Sequence, residues 1–357
     1  MIRSTRLDIW LVYCAVAILS CCCGPHRVAG LDFGYDGSMG PSHWGEQYNS
    51  CDGKYQSPIN INILEVVDKS FAPLVVEGFD KEAVSAELIN NGHTVLANLK
   101  FAETPTVQGG PLEGMGIFKY SQLHFHWGDN DTLGSEDRIN NISFPAELHM
   151  VFFNEKYDSV NEALTYDGGL VVLAFFFSLQ SFGNPNYEDL TELLHSVRDP
   201  NNRASFPKTP KLNHLITPYL MDYFTYTGSL TTPPCSEAVT WIDFEEPILI
   251  SAHQIERFRN LYTHDGLPLK HNFRPIQPLN NRTVYKAMHT ASLDYQLDDH
   301  EVKEWGSDKE ALKRESINSS ASCELVAKNA LNMILVLLLI IRLFILNSDV
   351  VSNHVHT

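Results

Sequence analysis

The sequence predicts a mainly β (α+β) protein with a single domain of roughly 260 residues and a few surface helices. Two observations carry that prediction. From Leu31 to Met288 short apolar runs alternate with Gly, Asn and Pro punctuation, and only two stretches have helical periodicity. A third observation, the lack of any internal repeat or low-complexity linker in that span, argues for one domain.

The strand candidates come in order. VSAELIN runs into Asn-Gly, SQLHFHW into GDND, AELHMVFF into NEKYD, GLVVLAFFFSL towards GNPN, and AVTWIDF into EEP. YEDLTELLHSVRD and SAHQIERFRNLY are the helical stretches, the second with Ser251 placed as its cap. Of the 357 residues 44% are hydrophobic, ample for a core, and the net charge of −17 excludes nucleic acid as an expected partner.

Both ends differ from the middle. Arg3 and Arg6 precede the apolar stretch IWLVYCAVAIL and small-residue cleavage sites, so residues 1–29 read as a signal peptide. Its removal takes Cys14, Cys21, Cys22 and Cys23, leaving Cys51 and Cys235 as the obvious disulfide pair in an oxidising compartment, with Cys323 left over. Asn130, Asn141, Asn281 and Asn318 stand in glycosylation sequons. After the domain, 30–290, come a charged polar linker at 291–324, a hydrophobic segment at 325–346 and a polar tail at 347–357. The segment reads as a lipid-anchor signal, with small residues Ser319 to Ser322 upstream, or as a spanning helix in which Arg342 would cost about 2.5–3.5 kcal/mol. Either reading attaches the protein to a membrane.

Chemistry concentrates in two strands. In QLHFHW, Gln122, His124 and His126 share one face and Leu123, Phe125 and Trp127 the other. In AELHMV, Glu147, His149 and Val151 share a face in the same way. Three histidines from two strands with a fourth position open to water is the donor set of a catalytic zinc, and Glu147 is placed to hold a histidine N–H. With fifteen histidines in the chain, spacing alone leaves other triplets open.

Nine segments then stand in a familiar order: YDGSMGPSHWG, QSPINI, NNGHT, QLHFHWG, GSE, AELHMV, YTGSLTTPPC, VTWI and FRPIQPLNNR. Through them the chain resembles the α-class carbonic anhydrases from Leu31 to Met288. The resemblance implies a large, mostly antiparallel, twisted central sheet. It implies Zn²⁺ on His124, His126 and His149, with reversible hydration of carbon dioxide to bicarbonate and a proton by attack of zinc-bound hydroxide. Thr231 would orient that hydroxide and pass its own proton to Glu136, and His93 would shuttle protons to buffer, a task suited to an imidazole. Gln122 and Glu147 would steady the zinc histidines, and Tyr35 and Asn91 would order the water chain. Val151, Val172, Leu230, Thr232 and Trp241 would line the substrate pocket. Cys51 and Cys235 match a disulfide of secreted members, which places the enzyme at the extracellular face of the cell membrane or in secretion. No oligomeric state is implied.

Two positions depart from the family pattern. Asp137 follows Gly-Ser-Glu where His is usual, which brings it near Glu147 and should raise a carboxyl pKa or draw in water. Phe33 stands where Trp is common. The competing function is a non-catalytic carbonic-anhydrase-related binding module, which typically lacks one or more zinc histidines, whereas all three are present here. A zinc-protease reading of HEVKE at His300 fails because Glu304 stands where the second histidine is needed.

Overall fold

The computed structural model describes residues 33–288. The expected signal peptide, linker, hydrophobic segment and tail lie outside those residues, as do Asn318, Cys323 and His300. Among the described residues no helix is long and apolar enough to cross a membrane.

Fourteen strands are present among the described residues. In chain order they are β1 (Asn60–Ile61), β2 (Val67–Ser70), β3 (Leu74–Glu77), β4 (Ser85–Asn90), β5 (Val95–Lys100), β6 (Thr106–Gly109) and β7 (Phe118–Trp127). After them come β8 (Arg138–Ile139), β9 (Ala146–Asn154), β10 (Leu170–Gln180), β11 (Arg203–Ser205), β12 (Tyr223–Gly228), β13 (Val239–Ser251) and β14 (Tyr285–Met288). Twelve of them form one sheet along the path β11-β4-β5-β7-β9-β10-β13-β12-β14-β2, with β3 and β6 joined at its side. Only β10–β13 and β14–β2 pair in parallel within it, so the sheet is mostly antiparallel, as the family resemblance implies. Both helical stretches form. Glu188–Leu193 runs on into a 3₁₀ turn, and Ala252–Phe258 starts on a capping box between Ser251 and Gln254.

Period-two alternation sorts the central strands onto two faces. Leu123, Phe125, Leu148, Met150, Leu173, Phe175, Ile242 and Phe244 enter the larger core, which the two helices cover with Leu190, Ile255 and Phe258. Val151, Val172, Ala174 and Trp241 enter a smaller core on the opposite face. Strand β7 has one interruption. Tyr120 faces Phe152 but Gln122 already faces Val151, so a bulge at Ser121 shifts the phase. Phe118 and Tyr120 thereby join the same large core as Leu123, and Gln122 is turned to the histidine face.

Candidate metal centre

Register brings the three histidines together. In the β7–β9 ladder His124 lies opposite His149 and His126 opposite Glu147, so side chains distant in sequence become cross-strand neighbours. Ring centroids are 5.0 Å (His124–His126), 5.2 Å (His124–His149) and 4.6 Å (His126–His149) apart. One ligand atom from each lies within 4.8 Å of the others.

Each ring is fixed by the nitrogen it turns away from the centre. His124 Nδ1 bonds Gln122 Oε1 at 2.9 Å, His126 Nδ1 bonds the Asn272 carbonyl at 2.7 Å, and His149 Nε2 bonds Glu147 Oε1 at 2.7 Å. Those oxygens accept, so the hydrogens sit on the outer nitrogens and lone pairs point inward from His124 Nε2, His126 Nε2 and His149 Nδ1. Burial and mutual repulsion of the rings hold His124 and His126 well below the ordinary imidazole pKa, and burial takes His149 down to about 3. They are neutral at neutral pH, the state in which imidazole binds metal. His126 Nε2 is buried with no hydrogen bond, and Tyr35 Oη is likewise unpartnered. A tetrahedral cation with nitrogen ligands fits this donor set.

Around the centre, Glu136 Oε2 lies 3.3 Å from His126 Nε2, and its Oε1 accepts the Arg274 backbone N–H at 2.8 Å. Burial raises the Glu136 carboxyl; hydrogen bonds from Thr231 and Arg274 pull it back, and Glu147 and Asp137 add to the rise. Val151, Val172 and Trp241 are buried with Leu230 packed against them, and Trp241 meets the His149 ring at 4.9 Å between centroids. Thr231 is buried and Thr232 half-buried in the loop after β12. That loop is tied down by the Cys51–Cys235 disulfide and by the Cys235 N–H on the Thr232 carbonyl.

His93 sits half-buried in the turn after β4, stacked on Phe33 at 4.0 Å between centroids. Asn91 Oδ1 accepts the backbone N–H groups of His93 and Thr94, so Asn91 builds the turn that carries His93. Asn130, Asn141 and Asn281 are exposed.

Asp137 is fully buried. It accepts from Ile59 N at 2.7 Å and Tyr226 Oη at 3.1 Å, while Glu147 Oε2 accepts the backbone N–H of Glu136 and Asp137. Burial and then the charge of Glu147 raise Asp137; burial pushes Glu147 up to about 8 against the pull of its two backbone donors. Sequence reasoning missed three participants. Asn272 holds His126 through its carbonyl and fixes Trp127, Phe125 and His93 through its side chain. Asp243, on β13, is wholly buried with neither carboxylate oxygen hydrogen-bonded. His264 reaches the His93 turn from across the sheet edge. Asp243 had a signal, a lone acid in the apolar run AVTWIDF; the other two had none short of a three-dimensional register.

Comparison with known proteins adds independent findings. The model of the eukaryotic-type carbonic anhydrase family matches residues 39–288. "Carbonic anhydrase 7" of Mus musculus is 41% identical over 260 residues, covering 71% of this chain and 96% of that protein. "Carbonic anhydrase 7" of Homo sapiens is 40% identical over the same length and shares. "Carbonic anhydrase 1" of Monodelphis domestica is 37% identical over 264 residues, 72% of this chain and 98% of that protein.

Proposed function

The chain belongs to the eukaryotic-type carbonic anhydrase family, a zinc-dependent one, and from that premise we propose that it catalyses the reversible hydration of carbon dioxide to bicarbonate and a proton. The observation that carries the reading is the histidine triad. Three neutral imidazoles converge, each locked by a separate partner, beside a Thr–Glu pair and an apolar wall.

Bound zinc would supply ionisation of a water near pH 7, as it does in carbonic anhydrases. His124, His126 and His149 would hold the ion and, being neutral, leave its charge undiminished. Thr231 would donate its hydroxyl hydrogen to Glu136, so its oxygen would be left to accept a hydrogen bond from the nucleophile and aim a lone pair at carbon. Val151, Val172, Leu230 and Trp241 offer carbon dioxide an apolar surface with no competing dipole, and Thr232 stands beside Thr231 to meet bicarbonate. His93 takes the released proton outward, with Tyr35 and Asn91 ordering water between.

The same reading places the enzyme outside the cell, released or held at the membrane surface by the segment 325–346 beyond the linker 291–324. In its support, Cys51 and Cys235 are bonded, three sequon asparagines are exposed, and the amino-terminal apolar run has the form of a signal peptide. The test is stopped-flow carbon dioxide hydration by the full chain, with zinc measured on the same sample. About one zinc per chain with hydration above the uncatalysed rate is expected. Stoichiometric zinc without hydration would favour the binding-module reading, and a folded sample with neither would overturn both zinc and enzyme.

A further inference from the structure

A second histidine is built into the proton exit. His264, in the exposed turn after Tyr262, packs against His93 with ring centroids 5.8 Å apart and planes at 69°. Its Nε2 lies 2.9 Å from the Asn91 carbonyl, which can only accept, so that nitrogen carries a hydrogen and Nδ1 holds the lone pair of the neutral ring. The seat is specific. Gly92 has φ +85, and a Cβ there would stand 2.2 Å from His264 Cδ2 and 2.4 Å from its Nε2. Only glycine allows both the left-handed turn and the imidazole lying over it. The carbonyl that anchors His264 belongs to the residue whose side chain builds the His93 turn, so the two rings are held to one three-residue segment.

We propose that His264 is the outer station of the proton relay, receiving the proton from His93 and releasing it to buffer. The inference rests on His93 acting as the shuttle of the proposed reaction. Phe33 lies flat on the His93 ring, and the His264 ring stands across it at 69°. A water with two ordinary hydrogen bonds holds the nitrogens it bridges about 4.5–5.5 Å apart, and ring centroids 5.8 Å apart bring the two imidazoles into that range of each other. The step balances as a proton transfer alone. An N–H bond of the His93 imidazolium breaks, water relays the proton, and an N–H bond forms at His264 Nδ1. His93 is left neutral, and the His264 imidazolium gives the Nδ1 proton to a buffer base while Nε2–H stays on Asn91. Imidazole is the side chain suited to passing protons near neutral pH, as donor and as acceptor.

The experiment separates proton export from the chemical step. Carbon dioxide hydration by the full chain, loaded with zinc, is measured at low and at high imidazole buffer for wild type, His264→Gln, His264→Ala and His93→Ala. His264→Gln keeps an N–H for the Asn91 carbonyl but cannot carry a proton, so it distinguishes a relay from a strut. The expected result is a fall in kcat on the order of threefold or more at low buffer for both His264 variants, smaller than the about 100-fold span of a direct proton-transfer group. Their kcat/KM stays unchanged, and high imidazole restores kcat. Wild-type kcat in His264→Gln at low buffer, with His93→Ala impaired, would overturn the inference and leave the enzyme reading intact. If His264→Ala is slow and His264→Gln is not, His264 is a strut for the turn and the inference fails. Absence of hydration in the zinc-loaded wild type would sink the enzyme reading and this inference with it.

Discussion

Two buried polar groups lie on one face of the sheet and are built on opposite terms. In the histidine triad every outer nitrogen has one partner, so burial costs little and each ring has a defined tautomer. The acids beside it, Asp137, Glu147 and Asp243, share donors unequally. Glu147 has two backbone N–H groups and a histidine, Asp137 has Ile59 and Tyr226, and Asp243 has no hydrogen bond to either oxygen. The difference teaches where the function lies. The triad fixes each ring through the nitrogen turned away from the centre, whereas Asp243 is a buried acid with no hydrogen bond that the proposed chemistry does not use.

The most severe break is on the satisfied side. His149→Ala removes one of three ligands, and zinc content together with hydration should fall to background by metal analysis and stopped flow. Retained stoichiometric zinc in that variant would rule out the triad as the metal site. Next comes Thr231→Ala, which leaves the ligands in place but no hydroxyl to orient the nucleophile. Zinc content should hold while kcat/KM drops about 100-fold. Glu147→Gln probes the seam between the two groups, since its Oε1 steadies His149 and its Oε2 faces the acids' backbone. Chelator competition should show zinc affinity weakened about 10- to 100-fold, the range for a partner that orients a ligand.

How much of this was legible in the sequence follows the same division. Strand alternation is local and shows which face His124, His126, His149, Gln122 and Glu147 take, but among fifteen histidines it was the family resemblance that selected this triad. The fold class was readable from runs such as GLVVLAFFFSL, which is β10. The bulge at Ser121 was not, because FKYSQLHFHW shows two apolar phases and nothing local says which residue absorbs the change. Asn272 and His264 escaped because each acts across the molecule, the first through its carbonyl on a ring 146 positions away. Asp137 was recognised as a departure from a pattern, but its company with Asp243 came only from the pairing of β13 with β12, which sets Asp243 against Phe224 beside Tyr226.

The smallest expected effects are on stability, and they sharpen the contrast from the unsatisfied side. Asp243 is held well above the ordinary aspartate range, first by burial and then by the charges of Asp137 and Glu147. An acid whose folded pKa is raised binds more protons folded than unfolded, so it weakens the fold as pH rises above its unfolded pKa of about 3.9. Glu147, raised to about 8, acts with the same sign, while His124, His126 and His149, held low by burial, act with the opposite sign up to about pH 6.5, so the metal-free chain should lose stability chiefly between about pH 6.5 and pH 8. Asp243→Val, similar in shape and without the charge, should unfold about 1–3 kcal/mol later in urea at neutral pH and flatten that slope. Asp137→His also removes an acid, but it gives up the acceptor of the Ile59 N–H, so its gain should be smaller. A rise of about 2–4 °C in Tm corresponds to about 1 kcal/mol in a domain of this size. If Asp137→His melts at or below the parent while Asp243→Val melts above it, the strain in the acid group belongs to Asp243 alone, and Asp137 is a structural acceptor for Ile59 and Tyr226 rather than an electrostatic burden.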